Sequence, residues 1–534
     1  MPEEHIRPRP KPLVVIILDG WGVSLISEGN AIAAADTPTM DTYARTYPSA
    51  AVSAAGIEVG LPWGEVGNSE TGHRNIGAGQ VQYQVLETID KAIADGSFFK
   101  NPALTGAIEH MKQNNSNLHL MGLVSPGGVH AHMNHLISLL DLCARENIHD
   151  RVYIHMFTDG RDAPPAQSLE YLKMIQEAIA KFSVGTFASV TGRFYAMDRN
   201  KNWDRTKAAY DMLTGGPRMS GAPNVEEAIN QSYRQEVFDE KIVPTAVTRG
   251  GDIIAPIAEN DAVIFFNYRP DRARQITEAF VTPERVEFPT KKFTNLYFAT
   301  MTQYDSTIPA PYAYQEDIAE YPLARVISDA GLTQLHIAET EKYAHVTYYL
   351  DVGHEQPYPG EDQVLMPSSN IADFAQEPKM QAEAITNKVI EEIEKKSYDV
   401  YFINFANPDM VGHTGNFEAT KEACSFVDQC IARIHNATFA VGGTIVVTAD
   451  HGNAEEKLNP NTGEIETDHT TNPVPFHLVS PRLQRSTPKS NEELSSIMST
   501  PIGVLADIAP TIIDILQLEK PTTMTGVSLL PSLR

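Results

Sequence analysis

Short apolar runs punctuate the chain, and most end in polar residues suited to chemistry. Leu13 to Leu18 is one such run and leads into Asp19-Gly20. Ile445-Val446-Val447-Thr448-Ala449 is another and delivers Asp450-His451 into a Gly452-Asn453 turn. Runs of this length, rich in β-branched residues and bounded by glycine, predict buried strands. Others lie at 117–124, 152–158, 187–190, 262–266, 296–300, 335–338, 400–405 and 474–479. Helical patterns fill much of the space between them. In the Ala-rich stretch from Ala31 to Tyr47, Thr37-Pro38-Thr39 offers a cap and an N-terminal proline. Leu505 to Ile513 begins a closing helix, and Arg485 to Ser499 reads as a polar, Ser-rich surface insertion. The alternation of strand and helix predicts the α/β class.

In the middle of the chain, four strands each lead to a charged loop. These are Ser125 to His130, Asp159-Gly160-Arg161-Asp162, Thr191 to Arg199 and Asn267 to Arg272. Ligands of open parallel sheets bind beyond the carboxyl ends of the strands, so basic loops there imply an anionic ligand. Thr307 to Tyr312 reads as a linker. The two ends of the chain share a different design, an apolar strand followed by a metal-type ligand. We therefore expect one discontinuous domain, 1–85 with 312–534, interrupted by a second α/β domain at 86–311.

Composition narrows the function. Of 534 residues, 42 are Lys or Arg and 68 are Asp or Glu, for a formal charge of −26. Such a chain argues against nucleic acid or an anionic membrane surface as partner, while leaving room for a small anionic substrate in a locally basic cleft. The three cysteines, Cys143, Cys424 and Cys430, give no disulfide framework and suit a reducing cytosol, as small buried hydrophobes. The polar, Pro-rich Met1 to Pro12 lacks a signal-peptide core, and no run approaches the ~20 apolar residues of a membrane span. A cytoplasmic monomer is expected.

Several residues invite two readings. Asp409 and His413 are four apart and share a face if helical, yet a surface pair explains them as well. Asp19 after its strand is also an ordinary turn former, and His469 sits in a polar loop. Asp450-His451, directly after a buried strand, is harder to explain by packing. Together with Ser69 these groups supply enough N and O ligands for two divalent ions, and imidazole with carboxylate and no thiolate suits Mn²⁺ or Zn²⁺ better than Mg²⁺. Ser69 follows the Gly-rich Gly64 to Asn68 and can open a helix whose amides favour an anion; a plain turn and cap is the alternative. Arg161, Arg193, Arg199, Arg269, Arg272 and Lys342 form the basic set, each individually readable as surface charge. His130, with His132 and His135 nearby, stands at another strand end.

The segments LDGWG, GNSETGH, SPGGVHAH, FTDGRD, TGRFYAMDR, NYRPDRARQ, ETEKYAHVT, NPDMVGHTG, TADHGNAE and DIAPTIIDIL, in this order, span nearly the whole chain. They resemble cofactor-independent phosphoglycerate mutase, of the alkaline phosphatase superfamily. The resemblance implies an alkaline-phosphatase-like three-layer metal-binding domain with a second α/β domain inserted. It implies interconversion of 3- and 2-phosphoglycerate in glycolysis and gluconeogenesis, without 2,3-bisphosphoglycerate. Ser69 resembles the nucleophile that becomes phosphoserine. Asp409, His413 and His469 resemble the ligands of one metal ion, and Asp19, Ser69, Asp450 and His451 those of a second. The metal expected is Mn²⁺, with Mg²⁺, Zn²⁺ or Co²⁺ as substitutes. His130, Arg161, Asp162, Arg193, Arg199, Arg269, Arg272 and Lys342 align with substrate-binding positions, with Asp162 as acid/base and Lys342 as a charge partner in transfer. Met1 to Pro12 and 485–499 are longer than the family pattern.

A phosphoserine must be kept from water. Gln80 to Gln84 and Pro309 to Tyr312 are therefore expected to be hinges for closure. A metal-dependent phosphatase or phosphopentomutase of the same superfamily is the alternative, as it would share the metal ligands but need other substrate loops.

Overall fold

The computed structural model describes residues 9–216, 220–315, 319–459 and 462–533. Met1 to Pro8 of the N-terminal extension lie outside the described residues. The chain divides into two units, one of Met1–Tyr83 with Asp317–Arg534 and one of Gln84–Glu316.

The first unit is built on a seven-stranded sheet. In spatial order its strands are Glu361–Met366, Gln334–Glu339, Val400–Phe405, Leu13–Leu18, Thr444–Thr448, Val474–Val479 and Ser49–Val52. The first five run parallel, and the last two pair antiparallel at one edge. Every residue of Leu13–Leu18, Val400–Phe405 and Thr444–Thr448 is buried. Strands apolar on both faces need a layer on each, and helices such as Ala382–Lys395, Phe417–Ala440 and Ile508–Ile515 supply apolar residues to this core.

Register decides where the polar residues emerge. Leu18 pairs with Phe405, and Ile17 with Thr448. Asp19, Asp409 and Asp450 therefore leave the carboxyl ends of three adjacent parallel strands. Ile337 pairs with Ile403, which brings the strand preceding Lys342 out at the same edge.

The second unit holds a nine-stranded sheet. Its order is Tyr312–Tyr314, Tyr297–Thr302, Ala262–Phe265, Leu118–Leu123, Val152–Thr158, Thr186–Gly192, Thr245–Arg249 and Ser220–Ala222, with Asp252–Ile253 paired to Thr245–Arg249. Its own apolar core runs from Ile89 to Ile308.

Three readings of the sequence change or sharpen. Tyr312–Tyr314, at the end of the stretch expected to be a linker, pairs in parallel with Tyr297–Thr302. The polar insertion contains a helix, Asn491–Ser499, opened by a capping box between Ser490 and Glu493. The Ala-rich stretch forms two helices, Ala31–Ala34 and Pro38–Thr46, because Thr37-Pro38 starts the second anew. All three cysteines are free and buried. No helix among the described residues is long and apolar enough to cross a membrane.

Candidate active site

Ser69 is the first residue of the helix Ser69–Ala78, where Asn68 caps by accepting the Thr71 amide. The helix lies close against the strand-end turn: a Cβ on Gly72 would stand 2.6 Å from the Asp450 carbonyl oxygen. That closeness carries Ser69 into the carboxylate cluster. Its Oγ donates to Asp19 Oδ1 at 3.1 Å and lies 2.9 Å from His451 Nε2. Lys342 Nζ donates to Ser69 Oγ and to Asp409 Oδ2, each at 2.6 Å, and pairs with Asp19 Oδ1 at 2.6 Å. A helix N-terminus beside a lysine places positive potential at the Ser69 hydroxyl.

The remaining ligand candidates surround this centre. His413 Nε2 and His469 Nε2 each lie 3.2 Å from Asp409 Oδ1 and 2.9 Å from each other. Asp409 belongs to the short helix Asn407–Gly412, and His413 follows its end. His451 Nε2 is 3.4 Å from Asp450 Oδ2 and 3.6 Å from Asp19 Oδ1. Ligand atoms of Asp409, His451 and His469 fall within 4.8 Å of one another, as do those of Asp19, His73 and Asp450. All seven sequence-derived metal candidates thus gather at one edge of the sheet.

Burial and charge oppose each other here. Burial works against the Lys342 ammonium, but Asp19, Asp409 and Asp450 overcome it and hold the lysine above its ordinary value. Burial likewise works against the Asp409 and Asp450 carboxylates. Lys342, His413 and His469 nevertheless keep Asp409 well below the usual range, and His451 with His73 keeps Asp450 below it. Asp19 is raised, by burial and then by Asp450.

His73 and Asn404 are participants that the sequence reading left without a role. His73 Nδ1 lies 3.3 Å from Asp450 Oδ2. Asn404 Nδ2 donates to Asp19 Oδ2 at 2.8 Å and lies 3.1 Å from His73 Nε2. His73 is in the GNSETGH segment, four residues after Ser69, which was the available signal. Asn404 is a polar residue inside an apolar strand and was equally visible.

The second unit carries the five arginines of the basic set, whereas Lys342 belongs to the first. Arg193 opens a helical turn after Thr186–Gly192 and is buried. Its Nη1 donates to Asp159 Oδ1 at 2.6 Å and Asp162 Oδ2 at 2.5 Å. Asp159 also accepts the Arg161 and Asp162 amides and the Ser125 hydroxyl, so it organises the whole FTDGRD turn. It ends a strand as Asp19 does, and that shared pattern was the missed signal. Asp271 collects Arg199 at 2.7 Å and Arg269 at 3.3 Å. His130 lies between Asp271 at 3.5 Å and Asp162 at 3.8 Å, and burial, then Arg193, lower it to about 4. Arg161, Arg193 and Arg272 line a cavity of about 350 Å³ together with Arg205 and Lys241. The other two histidines turn elsewhere. His132 caps a helix by accepting the Asn134 amide, and His135 meets Asp90 at 3.0 Å.

A serine at a helix start, with acids and histidines at neighbouring strand ends, in a chain whose second unit carries an arginine-lined cavity, defines a phosphotransfer enzyme. Its fold is alkaline-phosphatase-like, with an α/β domain inserted. Residues 89–306 match the family model for the BPG-independent PGAM N-terminus, and 288–497 match that for type I phosphodiesterase / nucleotide pyrophosphatase. A 2,3-bisphosphoglycerate-independent phosphoglycerate mutase of Chloroflexus aurantiacus is 46% identical across 98% of this chain and 99% of its own. One of Methanosarcina barkeri is also 46% identical, with 98% and 99% covered. The crystal structure of Leishmania mexicana phosphoglycerate mutase at low cobalt concentration is 29% identical, covers 97% of each chain and superposes with a TM-score of 0.55. The chain belongs to the 2,3-bisphosphoglycerate-independent phosphoglycerate mutases, a family of isomerases.

Proposed function

We propose that this chain interconverts 3- and 2-phosphoglycerate through a phosphoserine on Ser69, with two divalent ions, Mn²⁺ foremost. The observation that carries the reading is the surroundings of Ser69 Oγ: Lys342 Nζ at 2.6 Å, His451 Nε2 at 2.9 Å and Asp19 Oδ1 at 3.1 Å. The donor set fits such ions. It is all nitrogen and oxygen, three of its members are buried aspartates, and Asp450 Oδ2 is buried without a hydrogen-bond donor. Asp409, His413 and His469 would hold one ion, and Asp19, Ser69, Asp450 and His451 the other. When bound, such ions favour the serine alkoxide and neutralise phosphoryl oxygens.

The chain's own residues do the rest. Ser69 Oγ forms a bond to phosphorus as the substrate's C3 oxygen leaves. The reverse transfer places the phosphoryl group on the C2 oxygen. Lys342 is held as an ammonium by its carboxylates, so it is a charge partner for the transferred group and not a proton acceptor. Arg161, Arg193, Arg199, Arg269 and Arg272, with His130, hold the carboxylate and hydroxyls of glycerate, for which paired guanidinium donors are suited. Asp162 exchanges protons with those hydroxyls, oriented by Arg193. The phosphoserine must be sheltered, since attack by water would make free phosphate.

The test is turnover of 3-phosphoglycerate by chelator-stripped protein, without 2,3-bisphosphoglycerate, before and after adding Mn²⁺. Restored formation of 2-phosphoglycerate by the native chain, with a loss of about 10³-fold or more in Ser69→Ala, is expected. Comparable turnover by Ser69→Ala, or phosphate as main product, would refute the reading.

A further inference from the structure

We propose that His336, Asp351 and Glu361 form a second, separate binding site for one divalent ion of the Mn²⁺ to Zn²⁺ series. His336 is on the strand Gln334–Glu339 and Glu361 begins the neighbouring strand Glu361–Met366. Asp351 follows the π-helical turn His345–Tyr349. One ligand atom from each falls within a 4.8 Å cluster, and the three residues are 0%, 1% and 6% exposed.

The second observation is an unpartnered oxygen. Asp351 Oδ1 is buried and accepts no hydrogen bond. Its other oxygen finds only Gln363 Nε2, at 3.4 Å. Glu361 takes the same amide at 2.6 Å through Oε1, and the Tyr358 backbone amide at 3.0 Å through Oε2. Among the described residues, no lysine or arginine forms an ion pair with either acid. His336 Nδ1 stands 4.0 Å from Glu361 Oε1, and Arg325, which lines a cavity with Asp351, pairs with Asp329 instead. Burial, then Glu361, raises Asp351 to about 9, so the two acids share a proton through a hydrogen bond, and a divalent ion seated between them takes that proton's place.

One imidazole and two carboxylates without thiolate match the harder and borderline transition ions. The carboxylates are the anchors. His336 Nδ1 is bonded to the Val346 carbonyl at 2.6 Å and exchanges that contact for the ion. Asp351 also lines a cavity of about 320 Å³, together with Arg325, Val352, His354 and Tyr358, which provides an entry path. The site has a consequence for catalysis. Lys342 lies between His336 and Asp351 in the chain, so an ion here clamps both ends of the segment that delivers Lys342.

The experiment uses the full chain, stripped with chelator and dialysed against Mn²⁺ or Zn²⁺, beside the double variant Asp351→Asn/Glu361→Gln. The native chain should retain one equivalent more than the variant. Crystals soaked in either metal should show an anomalous peak bounded by the three side chains. Equal stoichiometry in the two proteins, or no peak there at saturating metal, would overturn the site. The peak is sought in the native protein, so it decides even if the variant does not fold. Both readouts are independent of the ions at Ser69, because those contribute equally to the two proteins.

Discussion

Lys342 and His477 show at residue scale how burial is answered differently in different places. Lys342 is buried among carboxylates and stays charged. His477 has no such partners: its Nδ1 meets the Ser49 hydroxyl at 2.9 Å, and burial, then Lys489, lower it to about 3. The unfolded chain takes up that proton near the ordinary histidine value of about 6.5. A depressed folded value means that the unfolded state binds the proton first. The stability is therefore fully present above about pH 6.5 and is lost as pH falls toward 3. Between about pH 7 and pH 5 this residue should cost about 2 kcal/mol. Urea midpoints should fall across that interval in the native chain and fall less in His477→Gln. An identical fall in both would remove His477 from the account. At this scale the sequence was most informative where a side chain follows a strand end. Asp19, Asp409, Asp450 and His451 were visible there as candidates, and Ser69 at a helix start after a Gly-rich loop. Asp159 also follows a strand end and was passed over there, whereas the hydrogen bonds that tie His73 and Asn404 to Asp450 and Asp19 join residues far apart in the chain, which spacing does not reveal.

At the scale of elements, the helix Ser69–Ala78 and the turn after Thr444–Thr448 are fitted backbone to backbone. An alanine at Gly72 would put its Cβ 2.6 Å from the Asp450 carbonyl oxygen and 2.8 Å from the Asp450 Cβ. Overpacking of this kind costs about 1–3 kcal/mol, and here relief requires moving Ser69 or Asp450. Gly72→Ala should therefore lower the urea midpoint and reduce kcat more than it raises KM. Native turnover with unchanged stability would show that the contact yields without consequence. Strands buried on both faces were legible because their apolar runs are unbroken. Tyr312–Tyr314 was not, being a three-residue edge strand, half-buried throughout, after two prolines. Asn491–Ser499 buries no residue, so it shows no apolar stripe, and its Ser490/Glu493 capping box was the one sign available.

At the scale of the whole molecule, each unit has its own core. The larger apolar cluster of the second unit draws only on residues from Ile89 to Ile308, whereas the first unit needs both ends of the chain. A fragment of Gln84–Glu316 should therefore fold alone, with a single cooperative urea transition. A fragment without one would show that this core depends on the rest of the chain. The first unit is different: Leu13–Leu18 pairs with Val400–Phe405 on one side and Thr444–Thr448 on the other, 387 and 431 residues later, so its site exists only when the two ends have met. The central claim is that this site passes the phosphoryl group through Ser69. The most direct measurement is to quench the Mn²⁺-loaded enzyme during turnover of 3-phosphoglycerate and map phosphate by peptide mass spectrometry. The account predicts phosphate on Ser69, absent without substrate. Steady conversion to 2-phosphoglycerate with Ser69 unmodified at every quench time would contradict it.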